Sequence, residues 1–212
     1  VACIILEPVS LQEPICKNIC NYCKKKDGCK GFLHGVKKLA DKYNAVLIFD
    51  EIVTGFRFAR GGYQEISGVL PDLACFSKAM ANGLPISALV GKKEIMRKFK
   101  EIFYSLTFAG ETTALAATKA TLNLLDKRKA YEKIRKNGSF LINEMKKSIY
   151  ENNLSKTLKL EGFPCRSTLI TSDHHFASAE EIKTYWIQEC VKKGILTTGT
   201  NNLSLAHNKK II

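Results

Sequence analysis

Two side chains in this 212-residue sequence could carry out covalent chemistry together. Asp50 follows the short apolar run 45–49, and Lys78 comes shortly after a second apolar run, 73–76. A lysine that is desolvated among cationic groups loses its proton more easily and can form a Schiff base with an aldehyde. An aspartate that faces a pyridine nitrogen keeps that nitrogen protonated and makes the ring a better electron sink. Placed above one sheet, the pair suggests pyridoxal phosphate chemistry.

The elements that must position these groups follow from the same apolar runs. A short apolar run that ends abruptly in a polar residue is typical of a buried parallel strand. Three such runs, 1–6, 45–49 and 73–76, lead into Glu7, Asp50 and Ser77-Lys78. Residues 31–43 have apolar side chains at helical spacing, as the crossover between parallel strands requires. The sequence therefore predicts a βαβ unit, with a further strand at 86–90.

The rest of the sequence predicts more helices and a second, smaller α+β unit. Helices are expected at 92–101, 112–125 and 130–150, and the composition changes near 126–130. Beyond that change, a capping box at Ser178 begins a helix that ends near Gly194. Strands are expected on either side of that helix, at 167–171 and 203–206.

Composition excludes several classes of protein. With 45% hydrophobic and 25% charged residues the chain is globular, and no apolar run approaches the length of a membrane span. The net charge of +13 is spread over predicted helices without interleaved aromatic residues, so we expect no nucleic-acid partner and no membrane partner.

The chain opens at Val1 as if within a domain, which suggests a fragment. The 8 cysteines without a visible secretory signal favour reduced thiols and a cytoplasmic location.

The segment LIFDEIVTGFR at 47–57 resembles the signature of the class III aminotransferases. Other segments keep the order and spacing of that family, most closely those of its glutamate-1-semialdehyde aminomutase-like branch. They are residues 7–9, 68–73, 77–78, 83–86, 91–96, 107–111 and 194–196. The resemblance covers nearly the whole chain.

This resemblance implies the α/β fold of the fold-type I pyridoxal-phosphate-dependent transferases. That fold has a mostly parallel sheet with helices on both faces, followed here by part of a small α+β C-terminal domain. Residues 1–128 would form the second part of the large cofactor-binding domain, and residues 129–212 the partial small domain. The family also implies a homodimer, because two subunits share the phosphate site.

The resemblance also implies roles for individual residues. Lys78 looks like the catalytic Schiff-base lysine, Asp50 like the partner of the pyridine nitrogen, and Ile52 like the residue packed on one ring face. Thr107 resembles the threonine with which a neighbouring subunit completes the phosphate site, and Glu7 resembles a glutamate near the substrate. Simpler interpretations are a surface lysine, a turn carboxylate, a core isoleucine, a helix-capping threonine and a strand-end glutamate.

The implied reaction moves an amino group from an amine or amino acid to a carbonyl compound, with Lys78 as general base and acid. In an aminomutase both halves occur on one molecule. Three departures leave the choice and the substrate open. Ala81-Asn82-Gly83 replaces a run of three glycines, Val53 stands where many relatives have Gln, and residues 110–112 replace Gly-Asn-Pro.

A cysteine-rich segment offers a different interpretation. Cys16, Cys20, Cys23 and Cys29 could hold zinc or an iron–sulfur cluster, and the first three match the spacing of radical S-adenosylmethionine enzymes. The alternative function is then an inactive aminotransferase-like scaffold that carries a metal-binding or interaction module. Because lost catalysis should have removed Lys78 or Asp50, we favour the enzyme and assign no metal ligand. The 4 histidines have no ligand-like spacing and are interpreted as structural or exposed.

Overall fold

The computed structural model describes residues 2–11 and 31–212. The chain divides into two compact units, Val1–Tyr131 and Glu132–Ile212. The assignment of residues 1–128 to a cofactor domain and of 129–212 to a partial small domain stays a prediction.

The first unit contains a four-stranded sheet with the order β1-β2-β3-β4. Its strands are Cys3–Leu6, Val46–Asp50, Leu73–Phe76 and Ala88–Gly91. β1 and β2 are parallel, as are β2 and β3, whereas β4 runs antiparallel to β3. Helix α1, Phe32–Lys42, lies between β1 and β2 in the chain. The predicted βαβ unit is confirmed, and the strand expected at 86–90 is β4.

The core of this sheet lies along the apolar central strand. Leu47 and Phe49 of β2 are fully buried, and α1 buries Leu33 and Ala40, which are two turns apart on one helix face. A continuous apolar run favours such an interior strand. The other face of β2 is half-buried.

Asp72 connects β2 and β3 by hydrogen bonds at their amino-terminal ends. Its backbone N–H donates to Leu47 O (2.8 Å), and its carboxylate accepts from Leu47 N (2.7 Å). The side chain is buried and pairs with Lys92 at 2.7 Å and Lys37 at 3.6 Å. Burial alone would raise the pKa of Asp72, but these hydrogen bonds and charges outweigh it and hold that pKa below its ordinary value.

Three further helices lie within the described residues of the first unit. They are α2 at Tyr63–Ser67, α3 at Lys93–Met96, and α4 at Thr112–Lys127. α3 continues into a 3-10 turn, Arg97–Lys100, so the helix expected at 92–101 is divided between two helix types. The helix expected at 112–125 is confirmed as α4, which Glu111 caps by accepting from Thr113 N and Ala114 N. α2 was not predicted.

The second unit contains an antiparallel three-stranded sheet with the order β5-β6-β7. Its strands are Leu158–Phe163, Arg166–Thr171 and Thr200–Asn202. Its helices are α6, Ala179–Lys192, and all but the first two residues of α5, which spans Ala130–Glu151. Ser178 and Glu181 form the predicted capping box of α6. The strand expected at 203–206 is wrong, because β7 ends at Asn202. β6 is the strand expected at 167–171, and β5 was not predicted.

Among the described helices, none combines the length and the hydropathy needed to cross a membrane.

Candidate active site

Parallel pairing brings the carboxyl ends of β1, β2 and β3 to one edge of the sheet. Leu6 is in register with Phe49, so Glu7 and Asp50 follow paired residues at that edge. Asp50 is in register with Cys75, and Lys78 comes three residues after Cys75. The fold therefore brings Glu7, Asp50 and Lys78 to the same edge.

Asp50 is the last residue of β2 and is half-buried. Its Oδ1 accepts a hydrogen bond from the backbone N–H of Ile52 (3.0 Å), which orients the carboxylate in the turn after the strand. Within residues 2–11 and 31–212, Oδ2 accepts no hydrogen bond. One oxygen of Asp50 is thus held by the protein, and the other is open to a donor such as a protonated ring nitrogen.

The Cys75 thiol lies in the electrostatic field of Asp50. Burial raises the pKa of Cys75, and the negative charge of Asp50 raises it further. Cys75 therefore stays a thiol at neutral pH and adds no charge to this edge of the sheet.

Lys78 combines a fixed backbone with an exposed side chain. It begins the 3-10 turn Lys78–Met80, and the buried Phe76 and Met80 stand on either side of it. Ser77 Oγ donates to Ile86 O (2.6 Å), and α4 packs against the turn. In the described part of the chain, Lys78 Nζ has no hydrogen bond or ion pair, so this amine is available to an incoming group.

The backbone of Lys78 adopts φ +42°, in the left-handed region. Residues with a side chain rarely occupy this region, since it costs about 1–2 kcal/mol. Strained residues persist where their surroundings determine the conformation, and they cluster at functional sites.

The structure also locates the other three predicted residues, Ile52, Glu7 and Thr107. Ile52 is half-buried in the turn after β2, and Glu7 is exposed immediately after β1. Thr107 lies in an exposed segment before α4, and its hydroxyl makes no hydrogen bond among the described residues. The ring contact of Ile52, the phosphate contact of Thr107 and the substrate contact of Glu7 stay predictions.

Glu51 is a buried carboxylate beside Asp50 that sequence reasoning did not single out. It is fully buried, and its side chain accepts from Thr54 Oγ1, Tyr63 N and Gln64 N. In the sequence, Asp50-Glu51 is merely a pair of acids after an apolar run. Only the hydrogen bonds from Thr54, Tyr63 and Gln64 distinguish the buried Glu51 from Asp50.

The candidate metal ligands Cys16, Cys20, Cys23 and Cys29 lie outside the described residues. Among the residues that the structure does describe, no group of three or more His, Cys, Asp or Glu side chains could hold a metal ion. In the described segments, Cys3, Cys75 and Cys190 are free thiols.

Residues 1–207 match the family described as Aminotransferase class-III. A glutamate-1-semialdehyde 2,1-aminomutase of Wigglesworthia glossinidia brevipalpis is 30% identical, with coverage of 99% of this chain and 49% of the relative. The enzyme of that name from Syntrophobacter fumaroxidans is 45% identical over 53% of this chain and 27% of its own length. A 3-aminobutyryl-CoA aminotransferase of Cloacimonas acidaminovorans is 39% identical over 58% of this chain and 30% of its own.

Solved structures give the same fold. A transaminase with PLP bound superposes with a TM-score of 0.82 at 20% identity, covering 98% of this chain and 48% of that one. The FumI protein of Sphingopyxis sp. MTA144, in its PLP internal aldimine form, gives 0.76 at 27% identity, covering 85% and 43%. The fold is therefore that of the PLP-dependent transaminases, fold type I.

The chain belongs to the class III aminotransferase family. It spans about half or less of the length of the curated relatives that it matches.

Proposed function

We propose that the protein containing this chain transfers an amino group between an amine or amino acid and a carbonyl compound, with pyridoxal 5'-phosphate as cofactor. The observation that carries the proposal is that Asp50 ends β2 and Lys78 follows β3, so that both lie at the carboxyl edge of two paired parallel strands. Family membership supplies the reaction class. The free Lys78 amine and the open Asp50 oxygen are the groups that this class of chemistry requires.

The residues present fit the cofactor. Asp50 would bind the pyridine nitrogen through Oδ2, because Oδ1 is already held by Ile52 N. Lys78 would bind the aldehyde carbon through Nζ, and Ile52 would pack on the ring. When bound, the cofactor supplies an electron sink for the substrate carbon that loses its proton.

Lys78 then has a second task as the base and acid of the reaction. With the cofactor and a substrate bound, Lys78 Nζ would accept a proton from the substrate carbon as general base and would donate it again as general acid. The turn after β3 fixes the backbone position from which this side chain extends, since Phe76 and Met80 are buried on either side of Lys78.

Substrate choice separates aminotransferase from aminomutase. Relatives of both names match this chain, so we propose the shared chemistry, with a small amino donor and a carbonyl acceptor. Glu7 lies at the same edge and would contact the substrate. Incubation with glutamate 1-semialdehyde alone, and with amino donors plus keto acids, distinguishes an intramolecular transfer from an intermolecular one.

The test of cofactor binding is an absorbance spectrum of the full-length protein purified with pyridoxal phosphate, before and after borohydride. We expect a visible band that borohydride bleaches, and a mass increase on the peptide that contains Lys78. The Lys78→Ala variant should show neither. If folded, full-length protein shows no such band, the catalytic proposal fails and the metal content of the Cys16–Cys29 segment is measured next.

We also propose that two copies assemble into a homodimer. The segment before α4 exposes apolar side chains on either side of Thr107, and Phe103 is 95% exposed. These are Ile102, Phe103, Tyr104, Leu106 and Phe108. An exposed apolar patch of this kind is typical of an interaction site. A second copy is the occupant that gives Thr107 its proposed contact with the phosphate.

The dimer is tested by light scattering after size-exclusion chromatography. Phe103→Ser should shift the full-length protein toward the monomer and weaken cofactor binding. Leu196→Ser is the matched control, because Leu196 is as exposed (94%) but lies in the second unit. An unchanged dimer in the Phe103 variant contradicts the proposed interface.

A cytoplasmic location is the last part of the proposal. Cys3, Cys75 and Cys190 are free thiols, and free thiols are typical of reducing compartments. Cell fractionation of the tagged full-length protein tests it, and recovery in the secreted fraction would contradict it.

A further inference from the structure

Glu51 is a fully buried carboxylate beside Asp50, and both of its carboxylate oxygens accept hydrogen bonds. Its Oε2 accepts from Thr54 Oγ1 and Tyr63 N (3.0 Å), and Oε1 accepts from Gln64 N (2.9 Å). A buried carboxylate is stable only when donors of this kind replace water. Two of the donors are backbone amides in the first turn of α2, where a negative charge also interacts favourably with the helix dipole.

The backbone of Glu51 is fixed as firmly as its side chain. Its N–H donates to Cys75 O (2.9 Å), which continues the ladder between β2 and β3 by one residue. Its carbonyl oxygen accepts from Gly55 N (2.7 Å), which closes the turn after the strand. Each hydrogen-bonding group of Glu51 is therefore paired with β3, with the turn or with α2.

Asp50 depends on this turn for its orientation. The donor that holds Asp50 Oδ1 is the backbone N–H of Ile52, the residue immediately after Glu51. The direction of that N–H is set by the two peptide groups of Glu51, and the bonds described above fix both of them. A displacement of Glu51 would therefore move the donor that orients Asp50.

Two glycines show how closely the loop is built around Glu51. A Cβ on Gly62 would lie 2.6 Å from the carboxyl carbon and from both carboxylate oxygens, and Gly62 has φ +81°. A Cβ on Gly55 would lie 2.5 Å from Glu51 O and from Cδ1 of Phe76. Neither position has room for a side chain, so the loop contacts Glu51 through its backbone.

We propose that Glu51 is a positioning residue, which holds the turn after β2 so that the Asp50 carboxylate faces the cofactor-binding edge. The effect of Glu51 on cofactor binding rests on the proposed function. Its effect on the orientation of Asp50 does not depend on that function. Glu51 itself touches neither cofactor nor substrate, because its carboxylate is buried under the loop.

The test uses the Cys75 thiol as a reporter in the cofactor-free, full-length protein. Because the charge of Asp50 suppresses ionisation of Cys75, a displaced Asp50 should increase the alkylation rate of Cys75 by iodoacetamide, followed by peptide mass spectrometry. Glu51→Gln keeps the shape of the side chain but turns an amide donor toward amide donors, so we expect faster alkylation. Asp50→Asn defines the rate when the charge is absent.

A double variant separates positioning from general loosening. If Glu51 acts through Asp50, Glu51→Gln adds nothing to the alkylation rate of Asp50→Asn, whereas independent effects would multiply. Multiplying effects, or an unchanged Cys75 rate in Glu51→Gln, would overturn the proposal.

A second pair of variants guards against misfolding of the Glu51 variant. Gly62→Ala pushes on the carboxylate from the loop side without changing any charge, and it should reproduce the Glu51→Gln result. Gly68→Ala is the matched control, because Gly68 also has positive φ (+68°) but no atom lies within 4 Å of its added Cβ. Equal alkylation rates in the two glycine variants would count against the proposal.

The cofactor readout is measured separately. We expect the dissociation constant for pyridoxal phosphate to rise about tenfold in Glu51→Gln, because a misplaced Asp50 carboxylate would make a weaker charge-assisted hydrogen bond to the ring nitrogen. Absence of binding by the unsubstituted protein would refute the proposed function and leave the Cys75 result standing. Wild-type affinity in Glu51→Gln would refute the role of Glu51 alone.

Discussion

Asp50 and Cys75 lie directly opposite each other in the parallel register of β2 and β3. This pair lies in the two strands that position the candidate functional residues, because Asp50 ends β2 and Lys78 follows β3. Burial raises the pKa of the Cys75 thiol, and the negative charge of Asp50 raises it further. The Cys75 thiol thus reports on the charge of Asp50, the proposed partner of the pyridine nitrogen.

The first prediction concerns the pH dependence of Cys75. Removing the charge in Asp50→Asn should lower the pKa of the thiol, because only the effect of burial then remains. At any pH below that pKa, more thiolate is present and alkylation is faster. The measurement is the alkylation rate of the Cys75 peptide across a range of pH values in cofactor-free protein.

Cys190 is the internal control for this prediction. Burial alone raises its pKa, and it lies in α6 of the second unit. Its alkylation rate should be the same in both proteins. Equal acceleration at Cys75 and Cys190 would indicate general loosening and contradict the electrostatic explanation.

The second prediction concerns the strained backbone of Lys78. At φ +42°, alanine retains the left-handed penalty of about 1–2 kcal/mol, whereas glycine escapes it but loses about 0.5–1 kcal/mol through greater freedom when unfolded. Lys78→Gly should therefore be more stable than Lys78→Ala by about 0.5–1 kcal/mol in urea unfolding of the cofactor-free protein.

The neighbouring residue provides the opposite expectation. Ala79 follows in the same 3-10 turn and does not have positive φ, so Ala79→Gly should destabilise the protein. If Lys78→Gly and Ala79→Gly change the free energy of unfolding in the same direction relative to the unsubstituted protein, strain at Lys78 does not explain the effect of Lys78→Gly.

The sequence predicts those elements whose stability comes from local or continuous patterns. β3 matches its apolar run 73–76 residue for residue, and α1 follows from helical spacing. The prediction of a strand at 203–206 is wrong, because these residues do not pair with β6 although their apolar side chains alternate. The paired residues are the polar Thr200–Asn202, held in part by the side-chain contact of Thr168 with Thr200 (3.1 Å).

The candidate site divides in the same way between local and distant signals. Asp50 and Lys78 were predictable because each follows an apolar strand. α2 was not, since its N-cap is Gly62 and its first amides bind Glu51, a residue twelve positions earlier. A buried acid and an exposed acid look alike in a sequence, and only the loop that covers Glu51 reveals which is which.

The third prediction concerns Asp72 and acid stability. The pKa of Asp72 is held below its ordinary value, so the ionised carboxylate stabilises the folded protein above about pH 3.9. That contribution is lost as the pH falls through the lowered pKa. Asp72→Asn should cost about 1–3 kcal/mol at neutral pH, because a buried charged partner is lost. The difference from the unsubstituted protein should shrink below about pH 4 in urea unfolding.

Asp41 is the matched control for Asp72. It also pairs with Lys37 (2.8 Å), but its side chain is 61% exposed. Asp41→Asn should change stability little at any pH, since exposed pairs are weak. A difference for Asp72→Asn that does not vary with pH would show that shape rather than charge explains its effect.

The fourth prediction compares two helical glycines. A Cβ on Gly138 of α5 would overlap the carbonyl oxygen of Pro164 in the turn between β5 and β6, whereas a Cβ on Gly35 of α1 has no atom within 4 Å. Gly35→Ala should stabilise the protein by about 0.5–1 kcal/mol through helix propensity. Gly138→Ala should destabilise it by about 3 kcal/mol, because backbone must move to relieve the overlap. Thermal unfolding measures both, and a stabilised Gly138→Ala variant would contradict the close packing of α5 on this turn.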